Sequence, residues 1–445
     1  MYIKTIREAF GKHSFFWMLA VEKILFDITY IGCFSPTYSY CGAILDIRWW
    51  KILLGWLATA VLLVVSEQLP NNAATAVYKI LLGLSALPSF SIFGLKNEPT
   101  QAFILITIYW FVFYAVLLFL NRRFPTCAEE VDSLKWLQMH RWIVTILFVW
   151  LVLSSVFFSG KYGEFRFFIR FEDVYDYRLD ESTQINGLMG YVFAWNTSIL
   201  MPLCLLMQLV LKQYIRAIVL CVMTFMCYSI GGNKAILLYM IISIAIYIVW
   251  YLKKQKYFLY IVEGSFGMVL FASNFISHFV HKGMFAALAY RLFSIPAEAH
   301  YFYYDFFQDN ELLYLRQSAL GRWIAAPYTK EVSVLIGSDP KYYFTGHYNN
   351  ASNGLFSMDY ANFGWFGVII GPIFIALTVW ALFYIIRKWD SRIKTYIVVY
   401  SCLYLLSASY TSWLLTGGVF LLVVMASTKW IFKIVQKKLL NKGVK

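Results

Sequence analysis

The chain has 445 residues and a formal net charge of +14; 60% of it is hydrophobic, 20% aromatic and only 14% charged. A soluble domain carries roughly a quarter charged residues, so this composition excludes a chain bathed in water and implies a polytopic membrane protein. Lys and Arg concentrate in short loops between apolar runs, with no basic stripe interleaved with aromatics, so nothing supports nucleic acid as a partner. The seven cysteines show no CxxC spacing, and the six histidines show no ligand spacing such as HExxH. No metal and no other cofactor is expected.

In chain order, residues 1–13 are basic and lead into an apolar run with no small-residue cleavage site, which reads as a retained first span. Twelve apolar segments follow the length a membrane helix needs. They are expected at about 14–34, 50–67, 73–93, 101–121, 142–159, 187–211, 216–232, 235–252, 257–280, 360–386, 395–411 and 413–433. Glu22, Lys23 and Asp27 interrupt the first of these, and Pro88 interrupts the third. The basic clusters Arg122–Arg123, Lys212–Arg216, Lys253–Lys256, Arg387–Lys394 and Lys437–Lys445 then fall on one side, together with Lys4, Arg7 and Lys12. By the positive-inside rule both termini are cytoplasmic. The expected organisation is a single integral membrane domain over 1–445, with a medium extracytoplasmic loop at 160–186 and a large one at 281–358. Loops of that length are functional more often than connective, and their aromatic and charged content suits short amphipathic helices lying on the membrane.

Candidate site residues are spread over four stretches. The medium loop carries Arg166 and Arg170 among acids, a mixture that also suits a plain solvated surface. Gly231-Gly232-Asn233-Lys234 opens a span; its amides and Lys234 suit an anion, and the plainer reading is a tight interhelical turn with a snorkelling lysine. Arg291 and Glu298 stand about two helical turns apart, either as part of a diphosphate or sugar site or as a surface pair, provided Pro296 does not break the register. Arg322, His347 and Asp359 lie in or beside the polar stretch before the tenth span. Asp359 reads as a helix N-cap or as a catalytic base. Cys33 and Cys41 are spaced compatibly with an outward disulfide.

The order of these features resembles the bacterial O-antigen polymerase family, the oligosaccharide repeat-unit polymerases. The resemblance is carried by the Gly-Gly-x-Lys turn at 231–234, the Arg-led segment Arg291–Glu298 opening a long outward loop, and the Tyr-Ala-Asn-Phe-Gly-x-x-Gly entry at Tyr360–Gly367. It covers residues 140–435, and the N-terminal third only through topology. Lys234 departs from the Arg that many members have, keeping the charge without the bidentate fork. The resemblance implies an all-α, GT-C-like, metal-independent glycosyltransferase of the bacterial inner membrane. Its donor would be an undecaprenyl-diphosphate-linked oligosaccharide, with membrane lipid around it and a chain-length regulator protein as a partner. Lys234, Arg291, Arg322, Arg166 and Arg170 would bind substrate; Asp359, Glu298 and His347 would be candidates for the base. Tyr301, Tyr342 and Tyr343 would stack on sugars. A lipid-linked oligosaccharide flippase and an O-antigen ligase remain open alternatives.

Overall fold

The computed structural model describes residues 13–125, 138, 141–165, 185–277, 283–321, 323–343 and 350–427, and every regular element among them is helical. In chain order these are α1 (Ser14–Thr29), α2 (Trp49–Ser66), α3 (Ala73–Leu95), α4 (Thr100–Arg123), α5 (Arg141–Tyr162), α6 (Gly187–Val210) and α7 (Tyr214–Gly231). They continue as α8 (Lys234–Tyr251), α9 (Phe258–Ser277), α10 (284–309), α11 (Val332–Ser338), α12 (Phe356–Ile385), α13 (Ser391–Ser407) and α14 (Tyr410–Ser427). Among the described residues, ten helices are long and apolar enough to cross a membrane. They are α2 to α9, α12 and α14, and the chain is a multi-pass membrane protein by that measure. Of the twelve expected segments, α1 carries three charges within its apolar run and α13 is 17 residues long, so these two fall short of the same standard.

The described chain forms two compact units. The first comprises Met1–Pro125, Lys256–Trp380 and Cys402–Thr411; the second comprises Thr126–Gln255, Ala381–Ser401 and Ser412–Lys445. In the first unit α1 packs on α9 and α3, and α2 packs on α3. A dense aromatic core fills it, with Tyr30, Phe34, Tyr78, Trp110 and Tyr301 all buried. In the second unit α7 packs on α5 and α6, and α6 on α8.

Among the described residues, four helical stretches contain one five-residue π turn each, at Tyr30–Phe34, Leu82–Ala86, Asn196–Leu200 and Tyr290–Ser294. Each is followed two residues later by a proline: Pro36, Pro88, Pro202 and Pro296. The reason is steric. A proline inside an α-helix has no N–H to donate and its ring strikes the carbonyl four residues back. Widening the turn that holds that carbonyl lets the helix continue. The freed carbonyl can be reused, as at Ser198, four residues before Pro202, which accepts from the Tyr396 hydroxyl at 2.7 Å. The expected break at Pro88 therefore does not occur, and neither does one at Pro296.

Residues 284–309 also differ from the expected surface helix. The segment is largely buried, from Pro296 to Tyr304. It packs into the middle of α3, where the Tyr301 hydroxyl donates to the Ser89 carbonyl (2.8 Å) and the His300 ring meets Ser85 Oγ (2.9 Å). The second ring nitrogen of His300 meets Ser357 Oγ at 2.7 Å, and burial pushes its pKa down to about 3. His300 is thus a neutral, satisfied core histidine.

Candidate functional site

The turn between α3 and α4 reads Lys96-Asn97-Glu98-Pro99. Asn97 takes a left-handed conformation (φ 55°), which Asn tolerates better than most residues. The Lys51 ammonium holds the turn by donating to the carbonyls of Asn97 (3.1 Å) and Glu98 (2.6 Å). This brings Lys96 Nζ to 3.6 Å from Glu98 and 3.6 Å from Glu298 of α10, above the Phe302 ring at 4.8 Å. Glu298 also accepts from Ser294 Oγ (2.9 Å) and from the Tyr30 hydroxyl (3.3 Å).

The three charges are nearly dry: side-chain exposure is 5% for Lys96, 1% for Glu298 and 15% for Glu98. Two acids on one base leave a surplus negative charge in an apolar, aromatic setting. Burial pushes the Glu98 carboxyl up to about 7; the Lys96 charge opposes that rise and the Glu298 charge adds to it. Glu98 can therefore exchange a proton near neutrality. Glu298 is held in place by Lys96, Ser294 and Tyr30.

Aromatic rings and a second cation surround this triad. Tyr38 stacks on Tyr290 with centroids 4.3 Å apart and planes 10° apart, and the buried Tyr290 hydroxyl has no hydrogen-bond partner among the described residues. Tyr342 donates to Asp305 at 2.7 Å, and Lys341 pairs with the same carboxylate. Arg291 is exposed. Its charge acts on Tyr38, Tyr40 and Cys41, and the Glu298 charge also reaches Cys41. Arg291 and Glu298 thus border one region, but not from one helical face. The π turn at Tyr290–Ser294 inserts a residue between them and rotates Glu298 into the core while Arg291 stays outside.

Such a site offers an exposed guanidinium for an anion, a carboxyl that can gain or lose a proton near pH 7, and rings with one face free for sugars. Among the described residues no three His, Cys, Asp or Glu side chains converge as a metal site would require.

No protein family, curated protein or solved structure matches the chain. Its site must be judged on its own geometry.

The other expected residues fall elsewhere. Asp359 lies in the first turn of α12, part-buried, and accepts from the Tyr109 hydroxyl at 2.8 Å. After Gly364 (φ 57°, ψ −133°) the chain turns so that Asp359 rests against Gly367 and Gly371, where any side chain would collide with it. Gly367 and Gly371 thus allow close packing against Asp359. Lys234 is in the second unit, while Arg291 is in the first. It is exposed at the start of α8, after Gly232 in the left-handed region (φ 64°) and Asn233 as N-cap, bonded to Ala235 N at 3.2 Å. The Gly-Gly-Asn-Lys stretch is a tight interhelical turn. Tyr301 is buried and engaged, and Tyr342 and Tyr343 are more than nine-tenths buried, so the rings with free surface are Tyr38 and Tyr40. Arg166, Arg170, Arg322 and His347 lie outside the described residues. Cys33 and Cys41 are not joined in a disulfide.

Sequence reasoning missed Lys96, Glu98 and Tyr30. A signal did exist. Lys and Glu two apart in a four-residue turn between strongly apolar spans are too expensive to be placed there without a partner.

Proposed function

We propose that the chain is a repeat-unit polymerase of surface polysaccharide, acting on undecaprenyl-diphosphate-linked oligosaccharide at the outer face of the bacterial inner membrane. In this reading α1 and α13 also cross the bilayer, giving twelve crossings, a GT-C-like architecture and both termini in the cytoplasm. The acceptor hydroxyl attacks the anomeric carbon of the donor glycan. The bond from that carbon to the diphosphate oxygen breaks, and undecaprenyl diphosphate leaves with the electron pair. Glu98 takes the hydroxyl proton, Arg291 faces the departing diphosphate, and Tyr38 and Tyr40 flank the sugars. Lys96 keeps Glu98 and Glu298 together without serving the leaving group itself.

The observation that supports this reading best is Glu98: a carboxyl only 15% exposed with a pKa near 7, paired through Lys96 with Glu298, whose charge reaches Cys41 as that of the exposed Arg291 does. The test is surface polysaccharide in cells carrying Arg291→Ala or Glu98→Gln at normal protein abundance. Each should lower the polymerisation rate by about 10²–10³ and shift long chains to single repeats, while Arg291→Lys retains function. Full-length polymer in both variants would remove the site from the mechanism.

A lipid-linked oligosaccharide flippase is the second reading, favoured by the charges inside the bundle: Glu22, Lys23 and Glu263 are each at least 97% buried. Loss of even single exported repeats in the same variants would favour it.

A further inference from the structure

Glu22 stands in the middle of α1 and Glu263 in the first half of α9, side chains that the polymerase reading does not use. Their exposures are 3% and 1%. Both carboxyls converge on bare backbone at Gly83, in the π turn of α3. A Cβ there would lie 2.9 Å from Glu263 Oε2 and 3.4 Å from Glu22 Oε1. The two carboxyls are neighbours within hydrogen-bonding reach of each other. Yet all four oxygens are buried and receive no hydrogen bond from any donor among the described residues.

The surrounding charges do not rescue them. Lys23, one residue along α1, is turned away. It donates to Ser91 Oγ (2.6 Å), lies 3.6 Å from Asp27 and sits over the Trp56 ring at 4.7 Å. On α2 the cation is Lys51, engaged with carbonyls 97 and 98. On α3 it is Lys79, bonded to Asn71 (3.0 Å) and over the Phe15 ring. On α9 the Tyr260 hydroxyl is bonded to Ser14. The Cys402 thiol of α13 lies near Glu263 but donates to the Val77 carbonyl at 3.6 Å. On α10 the titratable groups are Glu298 and His300, already engaged as described.

Two ionised carboxylates are acceptors only and repel each other most strongly where water is absent. Such a pair becomes a hydrogen bond when a proton sits between them: one carboxyl donates O–H, and the other accepts as carboxylate. We propose that Glu22 and Glu263 form an intramembrane proton-binding site, the two carboxyls sharing a proton at neutral pH. The site is independent of the polymerase reading. Proton binding here gives the first unit a charge that can be loaded and unloaded inside the bilayer, as a proton-coupled step requires.

The test uses the full chain in lipid nanodiscs. Infrared difference spectra at neutral pH should show the carbonyl band of a protonated carboxyl, shifted in heavy water and lost in the Glu22→Gln/Glu263→Gln double variant. That variant replaces the shared proton by amide hydrogens and should stay folded. Dicyclohexylcarbodiimide, which attacks protonated carboxyls in apolar surroundings, should label the peptide of Glu22 or Glu263 in the wild-type chain, with yield falling as pH rises. Absence of the infrared band in the wild-type chain would overturn the proposal without recourse to any variant. So would suppression of the label by sodium at constant pH, which would make the pair a site for a monovalent cation.

Discussion

Replacing Glu98 by Gln should remove a pH dependence of stability whose size follows from the burial of this side chain. The carboxyl stands at 4.5 when unperturbed and at about 7 in the folded chain. The folded state therefore holds this proton more tightly, and folding takes one up between those values. The stabilising contribution is complete below pH 4.5, declines as pH rises through about 7, and does not change further above it. At about 1.4 kcal/mol per pH step, the gap amounts to about 3 kcal/mol. Gln has the same shape, carries no charge and leaves Lys96 to pair with Glu298 alone. The assay is thermal or denaturant unfolding of both proteins in one detergent across that pH range. Other titrating groups cancel in the difference between the two curves. The variant should match the wild type at the acidic end and exceed it by about 3 kcal/mol above neutrality. Parallel curves would show that Glu98 is not held protonated by its surroundings, and the assignment of Glu98 as proton acceptor would fall with it.

Other outcomes are as specific. Gly371→Ala puts a methyl group against the Asp359 carboxylate and should cost about 1–3 kcal/mol of stability. The same change combined with Asp359→Ala should cost less than the sum of the two single changes, because the collision is shared; additive losses in a double-mutant cycle would contradict the packing. A cysteine at the exposed position Lys330 should react with an impermeant reagent in cells whose outer membrane has been made permeable. Protection until the inner membrane is breached would reverse the proposed topology. Counting reactive thiols should give the same number with and without reductant, since no disulfide joins Cys33 and Cys41.

The spans were legible because apolar length is a property of composition, which tertiary packing does not alter. The turn at Gly231–Lys234 was legible as a turn, with Gly232 ending one helix and Asn233 capping the next. Two helical turns of constant pitch would put Arg291 and Glu298 on one face, whereas Arg291 is exposed and Glu298 is buried. Counting residues along a helix assumes a constant pitch, and a π turn changes the count without leaving a mark other than the proline after it. Lys96 and Glu98 carried a signal, two charges in a short turn between apolar spans, but their role could not be read from it: it lies in Glu298, two hundred residues away. The convergence of Glu22 with Glu263 is likewise a fact of packing between α1 and α9 that neither segment announces.

The four π turns make helix length and helix phase separate variables in this chain. In an ordinary span, losing one residue shortens the helix and turns everything beyond it by about 100°, which ruins the packing of the far half. Here each turn already carries a surplus residue. Deleting one residue from Tyr290–Ser294 would restore α-helical pitch at a cost set by Pro296, with 295–309 still facing the partners it now has. Such chains can differ by a residue inside a membrane span and keep the same core, so a gap in the middle of an apolar segment is not evidence that the segment has ceased to be one helix.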